Sequence, residues 1–339
     1  EDFFAWCAEN RLFINELNGI STSEVVNHDI LTLPSFSARI NTLLTTSEGL
    51  SFHGHFDEMK TDSCYARYLA FTGISIPIFG DHFFNSTFDH VDTLEYEINN
   101  LKTNHLKSCF RISYSIFDKI SFLLHRFFNL DTVQNDHNVD FKKVWFKPRS
   151  QQLKDIFQNS ENEYFRALFF ISHEIRQTDR KASDDEDLSY WFDPDTQRLF
   201  KIRNAMEHRA FKLVDNVCHR YTDNGSTEIE QHRKELSDTQ KELENLLLSQ
   251  HSSQRNDSEF ENQIEKLRRR ETNLQQDLVE KERMNSYSVV VGVEEFESLT
   301  MKLLTLAKDA LVYLSLAIHH EELKKPKEGI AIPMQVPKK

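Results

Sequence analysis

Leu199-Phe200-Lys201-Ile202-Arg203-Asn204-Ala205-Met206-Glu207-His208-Arg209-Ala210-Phe211 is the stretch on which the reading of this chain turns. It holds neither Gly nor Pro. Leu199, Ile202 and Met206, with Leu213 as a further member, recur every three to four residues, the spacing of a helical stripe turned toward a core. Asp193-Pro194-Asp195 supplies cap and first-turn residues just upstream, so a helix is expected to begin there. Asn204 and His208, one turn apart, then project from one face. Arg203 lies about 100° round the helix from Asn204, and its long side chain reaches the space in front of His208.

An arginine, an asparagine and a histidine converging on one concave spot suit the cleavage of an RNA phosphodiester. A histidine side chain titrates near neutrality, so it can take the proton of a ribose 2′-hydroxyl or protonate a departing 5′-oxygen. A guanidinium holds two non-bridging phosphate oxygens in a fork and stabilises the extra charge of the transition state. Neither a metal nor a cofactor is called for. The same residues also read as ordinary structure, with Arg203 an ion-pair partner of Glu207 at helical spacing and His208 a hydrogen-bonded core histidine.

Arg203-Asn204, three residues and His208 match the arginine, polar residue, spacer and histidine signature of the HEPN superfamily. Three further stretches agree in order: Trp6-Cys7 through Asn15-Glu16-Leu17-Asn18, Tyr114-Ser115-Ile116-Phe117-Asp118-Lys119-Ile120, and Phe165-Arg166-Ala167-Leu168. Together they resemble the bacterial branch of HEPN proteins often linked to tetratricopeptide repeats, over roughly residues 1 to 215. The resemblance implies an all-α bundle and a metal-independent endoribonuclease, a toxin or effector of bacterial anti-phage defence that leaves 2′,3′-cyclic phosphates. His208 would be the general acid or base, Arg203 the stabiliser of the phosphate, and Asn204 the residue that positions the scissile group or the histidine. Ser115 and Asp118 would support them from the same cleft, or serve as a buried hydrogen bond or solvated surface. Two HEPN domains commonly face each other across a composite cleft, which implies a homodimer. Two other classes stay open, a non-catalytic HEPN interaction module and a nucleotide-sensing subunit of a larger complex.

With 339 residues the chain has ample material for one large domain or two moderate ones. It starts at Glu1, so a fragment or a processed product is expected. Phe, at 27, dominates the aromatic residues, while 8 Gly and 7 Pro are few enough to favour long helices over a turn-rich β fold. The four cysteines have no metal-knuckle or redox spacing and fit reduced thiols in a cytoplasmic protein. A formal net charge of -13 argues against broad, non-specific affinity for nucleic acid. It leaves room for a local basic cleft, and Lys201, Arg203, Arg209 and Lys212 cluster about the motif as candidate RNA contacts. A small recognised feature such as a loop, of tRNA for example, is the expected substrate. There is neither an apolar run of membrane-spanning length nor a secretory signal pattern.

Along the chain, residues 1–91 are expected to mix short helices with loops, one helix over 2–11 and another over 57–71. His53-Gly54-His55-Phe56-Asp57 reads as a hydrogen-bonded loop, since His-x-His without further ligands at the usual spacings is poor evidence of a metal. Residues 92–225 would be the helical core carrying the motif. From 92 to about 130, Leu94, Ile98, Leu101, Leu106, Phe110 and the apolar residues after them fall on one long helix or a closely joined pair. Arg166, on a helix over 164–176, reads as an ion-pair partner. Residues 177–188 form an acidic surface loop that could gate the cleft.

Residues 226–284 change character, with almost no aromatics and with Leu236, Leu243, Leu247, Ile264, Leu267, Leu274 and Leu278 at alternating spacings of three and four. They predict an antiparallel coiled-coil hairpin inserted before the last helix, a place to meet a protein partner, another protomer or a bulky substrate. Arg268-Arg269-Arg270 on its second arm reads as a solvated face. Val289-Val290-Val291-Gly292-Val293 is either extended or a tight helix entry. Residues 285–325 close the bundle along Phe296, Leu299, Leu303, Leu306, Ala310, Leu314 and Ile318, and 326–339 is a flexible basic tail.

Overall fold

The computed structural model describes residues 2–21, 23–36, 43–89, 96–130, 139–141, 143–147, 150, 152–175, 195–217, 224–252 and 258–325. Among these residues the fold is all-α apart from one small sheet. Its elements run α1 (Phe3–Glu9), α2 (Leu43–Ser75), α3 (Leu101–Phe127), α4 (Asp155–Gln158), α5 (Glu163–Ile175), α6 (Asp195–His208), β1 (Ala210–Val214), α7 (Asn224–Ser252), α8 (Ser258–Tyr287), β2 (Ser288–Gly292) and α9 (Val293–Lys324). They divide into two compact units, one of Glu1–Asp89, Asn99–Arg203 and Phe296–Lys339, the other of His90–Ile98 and Asn204–Glu295. The expected cap at Asp193-Pro194, the loop 177–188 and the tail 326–339 lie outside the described residues. Among the described residues no helix is long and apolar enough to cross a membrane.

The first unit is built on α2 packed along α3. Asn100 caps α3 by accepting from the Thr103 N–H while Thr103 accepts from the Asn100 N–H, a reciprocal box that fixes where the helix starts. From there Leu106, Phe110, Phe117, Ile120 and Leu124 are buried at helical spacing, as are Phe296, Leu299, Leu303, Ala310, Leu314 and Ile318 of α9. The abundance of phenylalanine has a structural use. Rings run from Phe296 to Phe110, Tyr114, Phe117, Phe141, Trp145, Phe157 and Phe165, each near the next, mostly tilted or edge-on. Buried polar groups pin the loops to this core. Arg67 donates to the Leu12 carbonyl and to both carboxylate oxygens of Asp29, and Asn162 donates to the Ala317 carbonyl and to Glu321.

Three sequence expectations are corrected here. Residues 1–91 are not all short helices, because α2 runs from Leu43 to Ser75; its Gly49 and Gly54 and its weak apolar stripe hide the helix, and packing on α3 overrides propensity. His53 to Asp57 is therefore helical rather than a loop, with His53 edge-on to Phe36 and His55 Nε2 within 3.1 Å of the Lys119 carbonyl. The long helix or closely joined pair expected from 92 begins, among the described residues, at Leu101, and just before it the Ile98 N–H donates to the Leu213 carbonyl at 2.7 Å.

In the second unit, α7 and α8 lie antiparallel. Gln240 donates to Glu271 at 3.0 Å and Lys281 approaches His232 at 3.5 Å, so the partners descend one arm as they climb the other. Ile229, Thr239 and Ile264 are buried along the seam. At its base β1 and β2 pair in parallel, Ala210 opposite Ser288 through Val214 opposite Gly292. Parallel strands need a long crossover, and here the whole hairpin is that crossover.

Candidate active site

Arg203, Asn204 and His208 all lie on α6, whose Leu199, Ile202, Ala205 and Met206 are buried. Arg203 and Asn204, beside that apolar stripe, are half-buried, whereas Lys201, Glu207, His208 and Arg209 are exposed. The Arg203 guanidinium stands over the buried Tyr114 ring at 5.5 Å from its centroid, a cation–π contact that orients the charge. His208 is the last helical residue. Arg209 closes the helix by donating its N–H to the Ala205 carbonyl at 2.9 Å, and the chain turns directly into β1. The sequence pattern had carried this helix on through Phe211 and Leu213. Strand pairing with three successive valines, Val289 to Val291, overrides that continuation, and Lys212 is consequently a half-buried strand residue in register with Val290.

The strand register has a direct consequence for the site. Because Ala210 faces Ser288, the end of α6 and the end of α8 are brought side by side. His208, Arg209 and Ala210 line an open pocket of about 580 Å³ together with Arg283 and Tyr287. Arg283 and Tyr287 are four residues apart on α8 and so share a face. Sequence reasoning missed both. Arg283 falls in the stretch expected as coiled coil and Tyr287 just past it, and only their place immediately before a valine-rich strand hinted otherwise.

Ser115 Oγ donates to the Ile112 carbonyl at 2.8 Å within its own helix, and the Asp118 carbonyl accepts from Ser121. Arg166 pairs with Glu163 at 2.9 Å, as its isolation suggested, and Arg269 pairs with Glu265 at 2.7 Å on the exposed side of the hairpin. Among the described residues no three His, Cys, Asp or Glu side chains are grouped to hold a metal ion.

An imidazole and two guanidinium-bearing residues around one open pocket can bind a phosphate and move a proton beside it. The family model of the LA2681-like HEPN domains matches residues 43–246 and 226–321. The match thus extends past residue 215, through the hairpin and most of α9, and leaves out the first 42 residues. Neither a curated protein nor a solved structure matches the chain.

Proposed function

This chain belongs to the LA2681-like HEPN family, within a superfamily of ribonucleases and nucleotide-binding modules, and from that premise we propose that it is a metal-independent endoribonuclease. The observation that carries this reading is the pocket in which His208, at the end of the motif helix, meets Arg209 and Arg283. In the proposed reaction a ribose 2′-oxygen attacks the adjacent phosphorus as its proton passes to an imidazole. The bond from phosphorus to the 5′-oxygen breaks, and the departing oxygen gains a proton, leaving a 2′,3′-cyclic phosphate and a 5′-hydroxyl. Arg203, held by Tyr114, stabilises the charge that builds on the non-bridging oxygens, and Asn204 positions the scissile group or His208.

A homodimer with two motif helices sharing one cleft would supply both the base and the acid. RNA, tRNA included, is the proposed substrate, Lys201 and Lys212 adding positive charge near the motif of an acidic chain. The role that fits a nuclease of this kind is that of a toxin or effector in anti-phage defence, with the α7–α8 hairpin as the surface for a protein partner. A second reading, a nucleotide-sensing module, draws on the same pocket, since two arginines and a tyrosine also suit a mononucleotide.

Purified protein, Arg203→Ala and His208→Ala are to be compared on total RNA and labelled tRNA in EDTA, with the product ends analysed. The expected result is cleavage by the parent alone with cyclic phosphate ends. Equal cleavage by all three proteins would remove the proposed site, and tight nucleotide binding without turnover would favour the sensing module.

A further inference from the structure

We infer that the second arm of the hairpin furnishes the nucleotide-binding half of this pocket, Arg283 gripping a phosphate next to the scissile one and Tyr287 stacking on an unpaired base, so that the site takes single-stranded RNA. The inference rests on the ribonuclease reading for its substrate and on the second unit alone for its geometry.

Three observations carry it. Arg283 and Tyr287 line the same pocket as His208 and Arg209, yet come from a helix beginning fifty residues after the motif helix ends. Their position is set by the Ala210–Ser288 register, because Tyr287 is the residue before β2 just as Arg209 is the residue before β1. Tyr287 is 74% exposed, so its ring is available to a ligand rather than consumed in the core.

Chemistry then decides the ligand. Arg209 and Arg283 reach the pocket from two different helix ends, and two separated guanidinium groups suit successive phosphates of one strand better than a single anion. An exposed aromatic beside such a cationic track is the arrangement that binds single strands, since every base offers a π face. In an A-form duplex those faces are covered by neighbouring bases, and a side chain cannot stack on them without unstacking the helix. Tyr287 therefore selects loops and unpaired ends. Arg269, farther up the same arm and paired with Glu265, lies outside the pocket lining and serves as a control.

The test uses the full chain and a short fluorescein-labelled 2′-O-methyl oligoribonucleotide, which cannot be cleaved, read by anisotropy as a single strand and as a duplex. The wild type is expected to prefer the single strand. Tyr287→Ala should weaken that binding by roughly 5- to 150-fold, the loss of one base–aromatic stack, while Tyr287→Trp retains it. Arg283→Ala should weaken it and flatten the slope of log affinity against log salt by about 0.7, one phosphate contact to a single strand. Arg269→Ala should bind as the wild type does.

Unchanged binding by well-folded Tyr287→Ala and Arg283→Ala overturns the inference, even where His208→Ala abolishes cleavage of ordinary RNA and the ribonuclease reading stands. Tyr287-dependent binding with no cleavage by any protein upholds this half-site and removes the nuclease. Equal affinity for duplex and single strand overturns the stacking role. Tyr287-dependent binding of AMP without binding of the oligonucleotide overturns RNA as the occupant.

Discussion

Arg203 holds its guanidinium 5.5 Å from the centroid of the Tyr114 ring, a contact between the motif helix and the buried face of α3. The aromatic face constrains the charge, so the ring should matter to cleavage beyond its packing. A cation–π contact contributes about 0.5–2 kcal/mol, and Tyr114→Leu should lower RNA cleavage by roughly 2- to 30-fold. Tyr114→Phe keeps the π face and should retain most of the activity. Rates for the two variants, with matched circular dichroism, check this.

Asp29 and Arg67 make a sharper statement about pH. Burial by itself would raise the Asp29 carboxyl, but hydrogen bonds from Arg67 and from the Ile14 N–H outweigh it and hold the group below its ordinary value. A carboxyl depressed in the folded state contributes stability above its unfolded pKa near 4, and loses it as pH falls through the folded value. Acid unfolding monitored by fluorescence should show that loss below about pH 4 and should miss it in Asp29→Asn. Arg67→Ala at neutral pH leaves a largely buried carboxylate unpaired and should cost about 3 kcal/mol.

Lys154 shifts in the same direction for a different reason. Burial pushes its ammonium down to about 8, although it donates to the Val144 carbonyl at 2.6 Å. Between that value and the unfolded one near 10.4, the unfolded chain binds the proton that the folded chain has released, so stability rises with pH. Thermal melts across this window should show the rise in the wild type, and Lys154→Met should abolish it.

Val291 faces Leu213 across the sheet, and both are buried. Val291→Asp puts an unpaired carboxylate into that contact, at a cost of several kcal/mol, and should part the strands. Tyr287 and His208 would then no longer line one pocket. Loss of Tyr287-dependent oligonucleotide binding, with most of the helical circular dichroism kept, is the expected outcome.

Long periodic helices were the legible part of this fold. The closing helix was expected within residues 285–325 and α9 runs Val293–Lys324; the two hairpin arms and α5 were likewise marked by their leucine or phenylalanine spacing. The helix α2 was not, because glycines and polar residues dilute its stripe and contacts with α3 hold it. β1 was hidden for another reason. Phe211-Lys212-Leu213-Val214 fits a helix or a strand equally well, and its partner lies beyond the whole hairpin, a pairing that no local pattern contains. At the site, the spacing of Arg203, Asn204 and His208 placed all three on one helix, whereas Arg283 and Tyr287 join His208 only through that distant register.

The parallel pairing also sets a clock on the ribosome. His208 and Arg209 emerge first, and the strand that completes their pocket follows only after both hairpin arms have been made. At roughly 5–20 residues per second the delay is several seconds, and closing so long a loop adds to it. A chain whose translation stops inside the hairpin carries the motif without the pocket. Unfinished copies thereby lack the pocket on which the proposed ribonuclease reading rests.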